Sequence, residues 1–313
     1  MMNRKLDVAV VGELNIDLVL WNVPFPEYEK EKLAEDMRFA MGSSSAITAH
    51  NLAALGTKVG FIGKAGQDNF GDFMVGKLRE GSVETRAIIR DETLKTGATI
   101  VLANPPKKAL LTYMGAMTDL TIEDIDWEYL KQARHLHLGC FFLQTGIRKD
   151  VWKLFAWAKE MGLTTSLDTN WDPEEKWGED LQKALEYTDI FLPNDDEALR
   201  ISGTDSLEGA IRELGKKVPI LVIKQGKSGA TLAVEDERVS ETGFSVEAVE
   251  TTGAGDSFNA GFLHKFLQGA SYRESLRFGN LCGALAVTAI GGSEAFRDKT
   301  TLNQRLDAIL NNA

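Results

Sequence analysis

The 313-residue chain is poor in cysteine, proline and histidine, with two, seven and four of them, and it is short of positive charge. Two thiols cannot build a disulfide framework, and Cys140 and Cys282 sit in the apolar or small-residue runs HLGCFFL and NLCGALAV, which reads as buried thiols in a reducing compartment. Lys plus Arg number 35 against 46 Asp plus Glu, a formal charge of −11, which argues against a surface built for nucleic acid or anionic lipid. An acidic chain that handles phosphates has to do so locally. No apolar run reaches the roughly 18 residues of a membrane span, and MMNRKLDVAVVGELN enters a strand without a cleavage pattern, so a cytoplasmic protein with no membrane partner is expected. An apolar content of 43% supports one large domain or a domain with an appendage.

Short apolar runs at 6–12, 58–63, 135–143, 164–168, 189–194 and 219–226 alternate with amphipathic helical patterns at 46–55, 70–80, 150–162 and 206–217. That alternation predicts an α/β domain with a mostly parallel sheet covered on both faces. Two stretches break the rhythm, 17–40 and 92–117, each reading as a strand pair with period-two alternation and no helix between, the second with a turn at NPPKK. They predict a small antiparallel β-lid carried by a main domain of residues 1–16, 41–91 and 118–313. A sheet so small leaves one face open unless it covers a ligand or a second copy of itself, so a homodimer through the lid is expected.

Two phosphate-loop lookalikes fail on inspection. Gly71-DFMV-Gly76-Lys77 is followed by Leu78 where Ser or Thr is required, and its apolar spacing is helical; Gly226-Lys227-Ser228 lacks the first glycine and reads as a hairpin turn. A dinucleotide fingerprint at Gly253-x-Gly255 lacks its third glycine, since position 258 is Phe. What remains is ETTGAGDSFNAGF, residues 250–262. Glycines at 253 and 255 permit close approach of a ligand, and the free N–H groups of a helix starting near Asp256 converge on one spot that favours an anion. Asp256 there is either a helix cap or a carboxylate beside a transferring phosphoryl group, and its place in the helix dipole predicts a depressed pKa.

That stretch closely resembles the second signature of the PfkB, or ribokinase-like, family of carbohydrate and nucleoside kinases. The resemblance runs along nearly the whole chain, through VVGELNIDLV, GKAGQDNFGDFMVGKLREGSV with Gly66, Asp68 and Gly71, LDTNWDP, LPNDDEALRISG, VIKQGKSGA and FGNLCGALAVTAIGG. It implies a ribokinase-like fold and transfer of the γ-phosphoryl group of ATP, with Mg2+, to a hydroxyl of a sugar or sugar-like acceptor. A nucleoside acceptor is the alternative, and a non-catalytic nucleotide- or sugar-binding regulator is the alternative of another class. Asp256 would be the base and the amides of Gly253, Ala254 and Gly255 the anion hole. Asp17, Gly42, Ser43 and Asn170 would hold the acceptor, and Asn194, Lys224, Gly226, Gly229 and Asn280 would lie near the nucleotide. Glu197 would reach the metal through water, although Asn194 and Glu197 also have the spacing of a capping box.

The chain departs from the family in three places. Ile47 stands where an acceptor-contacting Asn falls, which suggests a less polar pocket or the same sugar held in another way. Ser43, Ser44 and Ser45 occupy the run that carries a lysine in some members. Glu250 stands where many members have Asp, a position linked to monovalent-cation activation, so that dependence is left open. His135 and His137 alternate on one face of a buried strand and read as core residues, and Trp171 and Trp177 flank an acidic loop that they either pack down or open to substrate.

Overall fold

In the computed structural model, which describes residues 4–104 and 107–311, the apolar run at the N-terminus forms β1 (Val8–Val11), buried along its whole length. Alternation along it feeds two cores: Ala9 and Val11 join one apolar cluster and Val8 and Val10 the other, as side chains on opposite faces of a covered strand must. The remaining strands are β2 (Asn15–Trp21), β3 (Asp36–Met41), β4 (Val59–Gly66), β5 (Glu84–Asp91), β6 (Gly97–Asn104), β7 (Lys107–Tyr113), β8 (His135–Leu138), β9 (Thr164–Leu167), β10 (Ile190–Phe191), β11 (Ile220–Lys224), β12 (Ala230–Val234) and β13 (Glu237–Glu241). Among the described residues the main sheet has nine strands in the order β13-β12-β11-β10-β9-β8-β1-β4-β5, parallel from β11 to β5. The β11–β12 and β12–β13 pairs are antiparallel, and Gly226–Ser228 forms the short 3-10 turn between the first two. Strand β5 had no separate sequence signal: its burial is patchy, as befits an edge.

The second sheet has four strands in the order β3-β2-β6-β7. It is not antiparallel throughout, as the two strand pairs suggested. The β2–β3 and β6–β7 pairs are antiparallel hairpins, but β2 and β6 run parallel, because each excursion leaves the main body in the same direction and the two first strands then lie side by side. Pro105 and Pro106, in the expected turn of the second hairpin, lie outside the described residues. Among the described residues no helix is long and apolar enough to cross a membrane.

The anchor of this second sheet is local. Asp68 caps the helix Asn69–Glu80, accepting from the Gly71 amide at 2.8 Å, while its other oxygen accepts from the Thr96 amide at 2.8 Å at the entry to β6. Gly66 and Gly71 are small because a Cβ at either would meet backbone oxygen at 2.5 and 2.3 Å. The Gly66-x-Asp68 stretch thus joins the main sheet to the second sheet. Cys140 and Cys282 are buried and unpaired, and Lys77 with its glycines lies within the Asn69–Glu80 helix, as its spacing predicted.

Candidate active site

Parallel strands deliver their carboxyl ends to one edge, the usual place for a ligand in an open α/β sheet. Glu13 follows β1, Cys140 follows β8, Asp168 follows β9, Asn194 follows β10, and Lys224 ends β11. Over this edge stands the helix Ala254–Leu267, with Gly253 as its N-cap at φ 76°, ψ 4° and no side chain capping it. The Ala254 N–H turns back onto the Thr251 carbonyl at 3.4 Å, and the next two N–H groups, at Gly255 and Asp256, have no acceptor within the helix, the arrangement that suits an anion. Gly253 is required by its own neighbours: its left-handed backbone is costly for other residues, and a Cβ there would lie 2.4 Å from Gly292 Cα. Gly255 is different, since a Cβ would find nothing nearer than Lys224 Nζ at 3.6 Å. That is an ordinary van der Waals contact, so crowding within the chain does not explain the missing side chain at Gly255.

Asp256 is the third residue of this helix and does not cap it. Its Oδ1 accepts a hydrogen bond from Ser44 Oγ, at the start of the helix Ser44–Ala54, and its carbonyl accepts from Thr48 Oγ1 at 3.3 Å. The pKa expected to fall with the helix dipole instead rises to about 7. Burial is the chief cause and the negative charge of Asp168 the second, with the Ser44 hydrogen bond and Lys224 pulling the other way. Desolvation of the carboxylate outweighs the dipole.

Lys224 Nζ lies 2.6 Å from Asp168 Oδ2 and 3.3 Å from Asn259 Oδ1, and the Asn259 amide donates to the same Asp168 oxygen. Burial pushes Asp168 up, but the Lys224 charge and these hydrogen bonds more than offset it and hold the carboxyl below its ordinary value. Asn194 and Glu197 form the capping box their spacing allowed, with Asn194 Oδ1 accepting from the Glu197 amide at 2.8 Å and Glu197 Oε2 from the Asn194 amide at 2.9 Å. Burial and the Asp168 charge push Glu197 up to about 7. One of its oxygens is spent on the cap, and among the described residues no group of three or more acids, histidines or cysteines is arranged to hold a metal ion. That donor set fits a magnesium ion arriving on a nucleotide's phosphates and touched through water.

At the foot of the second sheet, Gly42 packs beneath the Asp17 carboxylate, which a Cβ would meet at 2.3 Å. Asn15 Nδ2 reaches Asp17 Oδ1 at 3.2 Å and Thr99 Oγ1 at 3.2 Å, joining the two lid excursions. Burial, then repulsion from Glu250, pushes Asp17 up to about 7 against the pull of Lys108 and Asn15. Ser43 spends its hydroxyl elsewhere: it caps the Ser44–Ala54 helix at Ala46 N and donates to the Glu13 carbonyl at 2.6 Å. Its neighbour Ser44 is the serine that faces Asp256. Glu13, buried, takes both the amide and the hydroxyl of Ser45 and pins the start of that helix.

The other sequence candidates divide. Asn170, at φ 53°, donates its amide to Asp168 Oδ1 at 3.1 Å, which places it at the sheet edge. Asn280 spends its side-chain amide on the carbonyls of Glu241 and Thr242. Gly229 is dictated by its turn, where a Cβ would lie 2.0 Å from the Glu241 carbonyl oxygen, whereas Gly226 has open space around it. Ile47 is corrected: it is 2% exposed and packs on Gly292, behind Gly253, so it backs the anion site and gives no ground for an apolar acceptor pocket. Trp177 is buried with its ring edge-on to Trp171 at 5.0 Å, holding the acidic loop down. His135 and His137 are buried against the hydroxyls of Thr164 and Ser166. Sequence reading gave no role to Glu13, Asn259 or Lys108, and named Ser44 only as one of three serines in a run that carries a lysine elsewhere in the family. Glu13 has a faint signal, a charged residue directly after a fully apolar strand; the others have none.

Comparison with known proteins follows the same lines. The pfkB family carbohydrate kinase model matches residues 5–299. The chain is 29% identical over 320 residues, 96% of its length and 82% of the relative's, to the probable chloroplastic fructokinase-6 of Arabidopsis thaliana. It is 28% identical over 311 residues, 93% of its length and 90% of the relative's, to the 5-dehydro-2-deoxygluconokinase of Clostridium perfringens. Among solved structures, a putative ribokinase II from E. coli in complex with ATP and magnesium superposes with a TM-score of 0.87 at 25% identity, over 97% of this chain and 99% of that one.

Proposed function

The chain belongs to the PfkB family of carbohydrate kinases, which are ATP-dependent sugar phosphotransferases, and from that premise we propose that Asp256 takes the proton of an acceptor hydroxyl while the amides following Gly253 hold the transferring phosphoryl group. The acceptor is a sugar or sugar-like molecule held over Gly42 by Asp17. The acceptor oxygen forms a bond to the γ-phosphorus, the bond to the bridging oxygen breaks, and ADP leaves with that electron pair. The acceptor's proton ends on Asp256.

The observation that carries this reading is the placement of Asp256: one carboxyl oxygen is held by Ser44 at the lip of an open anion site, with Gly255 bare beside it. A pKa near 7 makes this carboxylate a stronger base than an exposed aspartate, although in a loose transition state the orientation of the hydroxyl matters more. Lys224, with Asp168 and Asn259, stands at the nucleotide side of Gly255 and positions the phosphate chain. Magnesium, when bound with the nucleotide, supplies charge neutralisation; Glu197 and Asn194 would reach it through water. Closure of the four-stranded sheet excludes water, which otherwise competes as acceptor.

The same sheet supports a homodimer through the lid. Its face turned away from Asp17 exposes Met37, Ile100, Leu111 and Tyr113, from 38% to 62% each, a larger apolar patch than a lone sheet keeps in water. The deciding experiment is ADP release with magnesium against a panel of ketoses, aldoses, sugar acids and nucleosides, with Asp256→Asn as the control. Acceptor-dependent ADP formation that the variant loses supports the reading; failure of every acceptor in a folded sample that still binds ATP would shift weight to a regulator.

A further inference from the structure

The cleft is rich in acid, with Asp17, Asp168, Glu197, Glu250 and Asp256 around it, and a nucleotide's terminal phosphate brings more negative charge. Of the cations at hand, Lys224 is already committed to Asp168 at 2.6 Å. The run that opens the Ser44–Ala54 helix, Met41-Gly42-Ser43-Ser44-Ser45, has no cation. The remaining positive group comes from the lid. Lys108, on β7, extends its ammonium to Thr252 Oγ1 at 3.4 Å, one residue before Gly253. Among the described residues this long contact to a neutral hydroxyl is its sole side-chain hydrogen bond, and it makes no salt bridge there. Lys108 lies on the same face of the second sheet as Asp17, whose carboxyl its charge pulls down against burial.

We propose that Lys108 is a substrate-contacting residue of the kinase reaction, its ammonium exchanging the Thr252 hydroxyl for an oxygen of the γ-phosphoryl group as that group enters the anion site. The inference rests on the kinase reading above and adds to it a charge supplied by the lid. A compact ammonium on a flexible stem suits this task, because it can leave a weak neutral partner for a charged one with little movement. It also couples lid position to the presence of the third phosphate: ADP offers nothing at that place, whereas ATP gives the lid a reason to stay down. Lys108 already reaches Thr252 without any acceptor bound, so the contact should be measurable with nucleotide alone.

The test is calorimetric titration of the full chain with magnesium–ADP and with magnesium–AMP-PNP, the uncleaved imido analogue of ATP. Lys108→Ala, at an exposed position where folding is not at stake, is expected to weaken AMP-PNP binding on the order of tenfold while leaving ADP within about twofold; Lys108→Arg is expected to restore most of the loss. If Lys108→Ala leaves both affinities unchanged, or lowers both equally, the assignment of Lys108 is overturned and the kinase reading stands. If the wild-type chain binds neither nucleotide, the kinase reading itself falls and this inference with it.

Discussion

Ser44 Oγ donates to Asp256 Oδ1, joining the first turns of two helices that are more than two hundred residues apart in sequence. In the proposed mechanism the other carboxyl oxygen faces the acceptor, and the bond stabilises the ionised form of a carboxyl that burial drives towards neutrality. Replacing Ser44 by Ala should therefore do two things. Turnover falls by about tenfold through lost orientation, and the acid limb of the pH–rate profile moves to higher pH, since the carboxylate must now form without its donor. Ser44→Thr, which keeps the hydroxyl, should recover both. An unchanged acid limb in Ser44→Ala would mean the hydroxyl plays no part in setting the base.

Asp256→Asn separates chemistry from stability. Loss of the base should lower turnover by about 10² to 10⁴ with nucleotide affinity kept. The raised pKa carries a stability consequence whose sign is fixed: the fold favours the neutral carboxyl, so this contribution is complete below the ordinary value of 3.8 and is lost as pH rises through about 7. The Asn variant, which is never ionised, should thus be more stable than the wild type at pH 8, on the order of 2 kcal/mol, with the gap closing near pH 4. Thermal melts of both proteins at the two pH values provide the check; a variant less stable at pH 8 would show that the carboxylate is better solvated than its surroundings indicate.

Much of this was legible in the sequence, for identifiable reasons. The α/β alternation could be read because buried parallel strands such as VAVV are apolar throughout, and the helix start at Gly253-Ala254-Gly255 because glycines there permit the left-handed turn into it. Gly42 lies against the Asp17 carboxylate, and Asp256 meets the helix that follows Gly42 at Ser44. What could not be read depends on side chains meeting across the fold. The Asp256 pKa was expected low from the dipole, a local feature, but it is set by burial and by Asp168, which comes from a different strand end. Ile47 looked like a pocket residue because it stands where the family resemblance puts an acceptor-contacting Asn, yet its side chain turns back to Gly292. The parallel β2–β6 pairing joins segments with no shared local pattern.

The two glycines of the anion site should respond oppositely to substitution. Gly253→Ala meets both a left-handed backbone and Gly292 Cα at 2.4 Å, so it should destabilise the chain and disturb the start of the helix before any ligand is considered. Gly255→Ala meets only Lys224 Nζ at 3.6 Å, so it should fold normally and lose ATP affinity instead. Thermal denaturation paired with ATP binding distinguishes the two, and a normally folding Gly253→Ala with intact activity would remove the structural reason given for that glycine.

Asp68 offers the last test, because it acts at the joint rather than in the cleft. Burial raises its pKa, but the Gly71 and Thr96 hydrogen bonds and the nearby Arg90 charge outweigh this and hold it below its ordinary value, so its contribution to stability is present at neutral pH and fades as the solution becomes acid. Asp68→Ala removes a helix cap, a loss of about 1 kcal/mol, and frees the Thr96 amide at the start of β6. Asp68→Asn keeps an oxygen for the cap but cannot accept at both amides, so it should restore stability more fully than lid placement. Measured against a responding sugar, both variants should raise the acceptor KM more than the ATP KM, because the joint positions β6 against β2, which carries the Asp17 proposed to hold the acceptor. Equal changes in the two constants would assign Asp68 to helix stability alone.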